Sequence, residues 1–378
     1  MKLLHTADWH LGSPMETRLT AEQASRRRRE LSSRFADMIE YAKNAQIDAV
    51  LLCGDLSDDG VLSGELQDYL LSLIADAREI RFFLIAGNHD RYTDGTVGGC
   101  FSRGRRPMPE NLHVFGTAWE TVPLGGGVTV SGRSLPSEPV PPQLPALDAG
   151  CYNIVLLHGE IADTAALLGG EGECIPLGAL RGQNIDYLAL GHEHAFRHDR
   201  LDARGTWCYP GCPEGRGFDE CGKRGFVILT LDGTHCTGAS FVPFARRTLH
   251  DLALDVTAVD GGIYAMEQAL GVLVRDIPAD DLVRVTLTGA SDDRSLDTAY
   301  LRARLAERFF HAELRDRRIT ALQPSAYESD ISLRGAFVRA VTAASLTEEQ
   351  KSAVLRCGLA ALDGQNDASL ARGEGGLQ

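Results

Sequence analysis

Five short, almost unbroken apolar runs punctuate the first two thirds of the chain: KLLHTA from Lys2, DAVLLC from Asp48, RFFLIA from Arg81, YNIVLL from Tyr152 and IDYLAL from Ile185. Runs of five or six such residues without polar alternation predict strands buried on both faces. Between them, residues 26–45 and 66–78 space their apolar positions as helices do. Strand and helix alternating to about residue 245 predict an α/β fold, a layered sandwich of two mixed β-sheets flanked by helices, with its crevice at the strand ends. The Pro-rich segment 135–145 reads as an extended surface loop.

The rhythm then changes. Strands near 252–256, 282–288 and 313–319, with helices near 264–274 and 295–310, predict a small α/β cap domain. Two amphipathic helices follow, at 333–344 and 347–362. Leu333, Phe337, Val338 and Val341 form the apolar face of the first, and Val354, Leu355, Leu359 and Leu362 that of the second. Thr347 and Gln350 make a capping box, and Gly364 is placed to end the second helix. These faces either dock a partner or pack on the cap or on each other. The expected domains are 1–248, 249–325 (the cap) and 326–378 (C-terminal helices and tail).

Each early apolar run ends in a polar cluster: Asp8-Trp9-His10, Gly54-Asp55, Gly87-Asn88-His89-Asp90, His158-Gly159 and Gly191-His192-Glu193-His194. Two divalent cations side by side polarise a phosphoryl oxygen and stabilise both attacking and leaving oxygens. They need several donors each, one carboxylate between them, and positions left open for water and substrate. Asp8, His10, Asp55, Asn88, His158, His192 and His194 supply seven donors. The mixture of imidazole, carboxylate and amide suits manganese, iron or zinc better than calcium. The alternative is a set of buried, hydrogen-bonded strand-end residues that holds no metal. His5, His113, His198, His235, His250 and His311 lack ligand-like spacing and read as structural or solvated, with His5 alone a candidate for an outer contact.

In these clusters the chain resembles the calcineurin-like metallophosphoesterase superfamily, whose signature is DxH, GD, GNHD or GNHE, an isolated His, and GHxH. The resemblance implies that Asp8, His10 and His194 hold one metal, that Asn88, His158 and His192 hold the other, and that Asp55 bridges them. It makes His89 a catalytic residue that donates a proton to the leaving oxygen or stabilises the transition state. Asp90, the second catalytic candidate, either orients His89 or caps the following turn.

LHTADWHLGSPM at the start, and TWCYPGCPEGRGFDECGKRGFVILTLDG after GHEH, resemble the SbcD branch, with YhaO-like DNA repair exonucleases nearest. Tyr209, Pro210, Gly211, Phe218, Asp219 and Glu220 match a turn and a phenylalanine-acidic pair that recur there. The branch implies a manganese-dependent DNA exonuclease with single-strand endonuclease activity, a DNA substrate, an SbcC-like or YhaN-like ATPase partner of the SMC type, and a homodimer. The rival readings are a stand-alone phosphodiesterase or phosphatase for cyclic nucleotides or other small esters, and a non-catalytic scaffold. One departure stands out: Ser57 and Asp58 follow Leu56 where relatives often carry a bulky aromatic residue and some a histidine.

Composition adds two constraints. Among 378 residues, 44% hydrophobic and 24% charged, the net charge of −14 argues against gripping nucleic acid by bulk charge. Local basic stretches remain at Arg26 to Arg29, at Arg103, Arg105 and Arg106, and at Lys223 with Arg224, against a reading of all three as solvated surface. Nine cysteines without a CxxC pair, no signal-like start and no membrane-length apolar run lead to the expectation of a cytoplasmic protein with free thiols and no membrane contact. Cys208, Cys212 and Cys221, with His198, fit no compact zinc motif and are expected to be thiols in a turn-rich segment.

Overall fold

The computed structural model describes residues 1–15, 18–58, 62–93, 96–97, 101, 104–135, 144–162, 174–259, 261–291, 296–320 and 327–362. Arg103, most of the Pro-rich segment and Gly364 lie outside the described residues. The chain partitions into two compact units. One comprises Met1–Leu252, Asp276–Val285 and Arg302–Leu314, the other Ala253–Arg275, Thr286–Leu301 and Arg315–Gln378.

The first unit is a layered sandwich. One six-stranded sheet has the spatial order His235–Pro243, Gly225–Asp232, Lys2–Thr6, Ala49–Cys53, Arg81–Ile85, Leu112–Val114. Its last four strands are parallel, and Gly225–Asp232 runs against Lys2–Thr6. The other runs Arg197–Arg200, Thr206–Tyr209, Tyr187–Gly191, Tyr152–His158, Val128–Gly132, Glu120–Gly125, with the middle four parallel. Both sheets are therefore mixed.

The unbroken apolar runs now have their explanation. Val50, Leu52, Phe82 and Leu84 pack under the helices Ala21–Asn44 and Gly64–Asp76, against Leu31, Phe35, Leu70 and Ile74. Their neighbours Leu51, Cys53, Phe83 and Ile85 point the other way, into a core shared with Val130, Ile154, Leu156 and Ala189 of the second sheet. A strand between two cores has no solvent face. Each fully buried Phe or Leu contributes about 1.5–3 kcal/mol. The first helix begins at Ala21, before residue 26 where its apolar pattern predicts it, because Thr20 and Gln23 cap each other's backbone reciprocally at 3.0 and 3.2 Å.

Arg26 to Arg29, open as either recognition or surface, divide by helix face. Arg28 and Arg29 are exposed, whereas Arg27 is buried and donates to Glu214 Oε1 at 2.5 Å and to the Gly215 carbonyl. Glu214 also accepts from the backbone of Arg246 and Arg247, and Arg247 in turn is bidentate on Glu30 at 2.7 and 2.8 Å. Removing one partner of a buried ion pair strands the other. Arg27→Met is therefore expected to cost about 3–5 kcal/mol in urea unfolding, while Arg29→Met changes stability by less than about 0.5 kcal/mol. Equal effects would show that the buried network contributes nothing beyond a surface pair.

In the second unit, Gly262–Leu273 is helical, as are Leu333–Ala343 and Glu348–Leu362. The capping box of Thr347 and Gln350 is present at 3.0 and 3.2 Å. Val338, Val341, Leu355 and Leu359 bury against one another, so the two helices pack face to face. Leu333 does not share that face and is 73% exposed.

Candidate metal centre

Parallel strands end together, and here the ends of two sheets meet. Asp8 follows Lys2–Thr6, Asp55 follows Ala49–Cys53, Asn88 to Asp90 follow Arg81–Ile85, His158 closes Tyr152–His158, and His192 follows Tyr187–Gly191. The loops are laced to one another by Asp8 N–H to the Gly54 carbonyl (3.1 Å), His10 N–H to the Asp55 carbonyl (2.9 Å), and His192 N–H to the Asp8 carboxylate (2.9 Å). Asp8, His10, Asp55 and His192 all have positive φ, at 54°, 45°, 51° and 111°. Such backbone costs about 1–3 kcal/mol per residue and persists only where its surroundings over-determine it. Glycine is required beside them: a Cβ on Gly54 would lie 2.3 Å from His158 Nδ1, and one on Gly191 1.9 Å from the Cys53 carbonyl oxygen.

The side chains converge in three overlapping sets, one of them His10, Asp58 and His89. Asp8, His10 and His194 present donor atoms within 4.8 Å of one another, as do Asp8, Asp55 and His158. His10 Nε2 faces His194 Nε2 at 3.2 Å. The side-chain amide oxygen of Asn88, Oδ1, lies 2.8 Å from His158 Nε2 and 3.2 Å from His192 Nδ1. One oxygen of Asp55, Oδ2, is 3.7 Å from His10 Nε2 and 3.3 Å from His158 Nε2. It stands between the two sets that include Asp8, while Oδ1 accepts the His89 N–H at 2.9 Å.

Burial makes this arrangement electrostatically unsettled without a cation. It pushes Asp8 up to about 7, against the pull of His158 and His194. Burial would also lower His158, but the Asp55 and Asp8 carboxylates outweigh it and raise the imidazole to about 10. For Asp55 burial opposes the charge, and His158 and His10 more than compensate, so it is held well below the usual carboxylate range. Inward-facing nitrogens and carboxylates in so small a space are the donor set a pair of divalent cations requires.

The sign of the pH dependence follows. Asp8 is raised above its ordinary 3.8, so its contribution to the metal-free fold is complete below that value and is lost as pH rises through about 7. That of His158 is complete below 6.5 and is lost through about 10. Cation binding needs the opposite forms, Asp8 ionised and His158 neutral, and releases those protons. The melting temperature without metal is expected to fall between about pH 5 and 9 while the increment given by added manganese grows. An increment that shrinks with pH would exclude these two ligands.

His89 is partly exposed, with Nδ1 3.6 Å from Asp58 Oδ1 and its ring 4.8 Å from that of His10. The Asp90 carboxylate accepts backbone N–H groups of Asp55, Leu56, Ser57 and Gly87, at 2.7–3.2 Å, tying the GD and GNHD loops together. His5 is buried between the sheets on Tyr187 Oη (2.9 Å) and the Leu190 carbonyl (3.1 Å). Arg105 and Arg106 have exposed side chains, and their backbone N–H groups both donate to Asp68. Arg224 is 7% exposed and bonds the carbonyls of His194, Glu220 and Cys221, so it braces the site instead of facing solvent. Cys208 and Cys212 are buried thiols.

The segment after GHEH acts on the site from outside. Tyr209 Oη donates to the Gly159 carbonyl (2.7 Å) and accepts from Ile161 N–H (3.0 Å), which fixes the turn after His158. Cys212 N–H donates to the His194 carbonyl. Glu220 accepts from His194 Nδ1 at 2.7 Å, and Asp58 sits 3.3 Å from His10 Nδ1. The hydrogen bond from His10 brings Asp58 down to about 2. Sequence reasoning left Asp58 and Glu220 without a role and passed over Arg216, which touches both; the only signal was their presence in the two segments that depart from or match the SbcD-like pattern.

Fold and donor set together define a metal-dependent phosphoester hydrolase. The chain belongs to the Calcineurin-like phosphoesterase family, whose model matches residues 1–196, just over half of the 378. Among its relatives, the metallophosphoesterase YhaO of Bacillus subtilis is 27% identical over 279 residues, 69% of this chain and 63% of its own length. The DNA double-strand break repair protein Mre11 of Methanosarcina acetivorans is 24% identical over 310 residues, 77% of this chain and 46% of that protein. The SbcD nuclease subunit of Rhodobacter capsulatus is 34% identical over 285 residues, 62% of this chain and 67% of its own. The chain thus spans from about half to two thirds of these relatives. Among the described residues, no helix is long and apolar enough to cross a membrane.

Proposed function

We propose that this chain is a two-metal-dependent DNA phosphodiesterase, an SbcD-like exonuclease with single-strand endonuclease activity in DNA repair, with manganese as the preferred ion and iron or zinc as alternatives. The observation that carries the reading is Asp55 Oδ2, which faces His10 of one ligand set and His158 of the other. In this assignment Asp8, His10 and His194 hold one cation, Asn88, His158 and His192 the second, and Asp55 both. The pair, when bound, supplies Lewis-acid polarisation of the scissile phosphate and charge stabilisation for the oxygens that attack and leave. His89, at the rim of the site, gives its proton to the departing sugar oxygen. Asp90 positions the loops without touching the reacting atoms.

The names borne by the relatives, a nuclease subunit and a double-strand break repair protein, support a DNA substrate. The word subunit also supports a partner chain, which the SbcD-like resemblance makes an SMC-type ATPase; a homodimer and a cytoplasmic setting belong to the same reading and rest on that resemblance alone. Residues 1–248 would form the nuclease domain, 249–325 the cap that positions substrate, and 326–378 the C-terminal helical segment. The net charge of −14 favours a second reading, a phosphodiesterase or phosphatase for small esters.

Turnover with manganese on end-labelled single- and double-stranded DNA, beside a cyclic nucleotide and an aryl phosphodiester, separates the two. Progressive shortening of DNA that vanishes in Asp8→Ala is the expected result. Hydrolysis of the small esters with DNA left intact would overturn the nuclease reading.

A further inference from the structure

We infer that Arg216 is a positioning residue for one of the two cations: it ties together the carboxylates that orient His10 and His194, and so sets the affinity of the position those histidines share with Asp8. The inference rests on the metal-centre reading above.

The two rings are held alike. Each turns Nε2 inward, where the two nitrogens face each other at 3.2 Å, and each presents Nδ1 to a carboxylate, Asp58 for His10 (3.3 Å) and Glu220 for His194 (2.7 Å). A proton held at Nδ1 by a carboxylate fixes the tautomer, leaves the Nε2 lone pair for a cation and makes the ring a stronger donor. Asp58 and Glu220 are 162 residues apart in the numbering, and what spans them is Arg216. Its Nη2 and Nε donate to Glu220 Oε1 at 2.9 and 3.2 Å, and its Nη1 lies 3.8 Å from Asp58 Oδ1. Its Nη2 also stands 3.2 Å from His194 Nδ1; with the proton of that nitrogen directed to Glu220, this is a packing contact and not a second hydrogen bond. Its backbone N–H donates to the other Glu220 oxygen at 2.6 Å. The circuit His10, Asp58, Arg216, Glu220, His194 thereby closes on itself.

His158, in the other ligand set, has its Nδ1 on the neutral carbonyl of Cys53 at 2.9 Å. The two cation positions therefore differ in what stands behind their ligands. A guanidinium is planar and presents donors along two edges, so it can hold two carboxylates at a fixed separation; an ammonium carries the same charge from a single point. Substitution by lysine thus isolates geometry from charge. Asp58 also lies 3.6 Å from His89 Nδ1, so the same tie reaches the imidazole at the rim.

The test titrates the metal-free, full-length protein with Mn2+ by calorimetry, for wild type, Arg216→Lys, His194→Ala and His192→Ala. Two binding steps are expected in wild type, each alanine variant losing a different one. Arg216→Lys should weaken the step that His194→Ala removes by roughly 10–100-fold and leave the other unchanged, with a metal-free melt that overlays wild type. Asp58→Asn, which opens the same circuit from its other end, should weaken that step too, and it serves if the lysine variant does not fold. Both steps unchanged in Arg216→Lys, or both weakened alike, would overturn the inference. Wild-type protein that takes up neither Mn2+ nor, in parallel titrations, Zn2+ or Fe2+ would overturn the metal-centre reading itself.

Discussion

Asp55→Asn is expected to empty both cation positions and to slow phosphodiester hydrolysis by more than about 100-fold, because loss of a mere outer partner already costs roughly 10–100-fold. The geometry explains why one residue should affect two sites. Oδ1 is committed to the His89 N–H at 2.9 Å, and Oδ2 alone faces His10 at 3.7 Å and His158 at 3.3 Å. An amide that keeps the first contact must turn its NH2 toward the cations. Elemental analysis after desalting, run beside turnover, reads both effects. One metal lost and one retained would mean that Asp55 serves a single position.

His89→Gln is expected to do the reverse, keeping both metals while reducing turnover roughly 10²–10⁴-fold, the usual worth of a positioned general acid. With His10 and Asp58 the ring forms a third set of neighbouring donors, but it stands outside both sets that include Asp8, 4.8 Å from the His10 ring and partly open to solvent. Glutamine preserves the approximate length and polarity but has no proton to give at neutral pH. If the metal content falls instead, His89 holds the centre together and the proton must come from elsewhere. An aryl phosphodiester with a good leaving group sharpens the comparison, since such an oxygen needs no proton and its hydrolysis should survive the substitution.

Much of this is legible in the sequence. The strands Ala49–Cys53 and Arg81–Ile85 declare themselves because a strand lying between two cores tolerates no polar residue on either face. The helix at Glu348–Leu362 begins right after Thr347, which forms a capping box with Gln350 in the first turn, because that contact is local. The start of Ala21–Asn44 was missed for a related reason: its cap is equally local, but its first turn is polar and an apolar pattern does not register it. Leu333 belongs to the helix yet not to its packed face, which only the neighbouring helix decides.

By itself, then, the sequence determined which elements form and which donors stand at their ends, since both follow from burial and spacing over a few residues. It also determined the chemistry that those donor types permit. Only the tertiary structure decided which donors meet. That Asp55 Oδ2 faces both His10 and His158 depends on how two sheets stack through a shared core, and no local pattern encodes that. The same holds for Arg216, which no local pattern singles out and which in the fold links Asp58 and Glu220. It holds again for residues 276–285 and 302–314, which join the unit of residues 1–252 through Leu282 and Phe310 packing with Phe218 and Leu249. Contacts of this kind close loops of tens to hundreds of residues, and their energy exists only once the chain has folded.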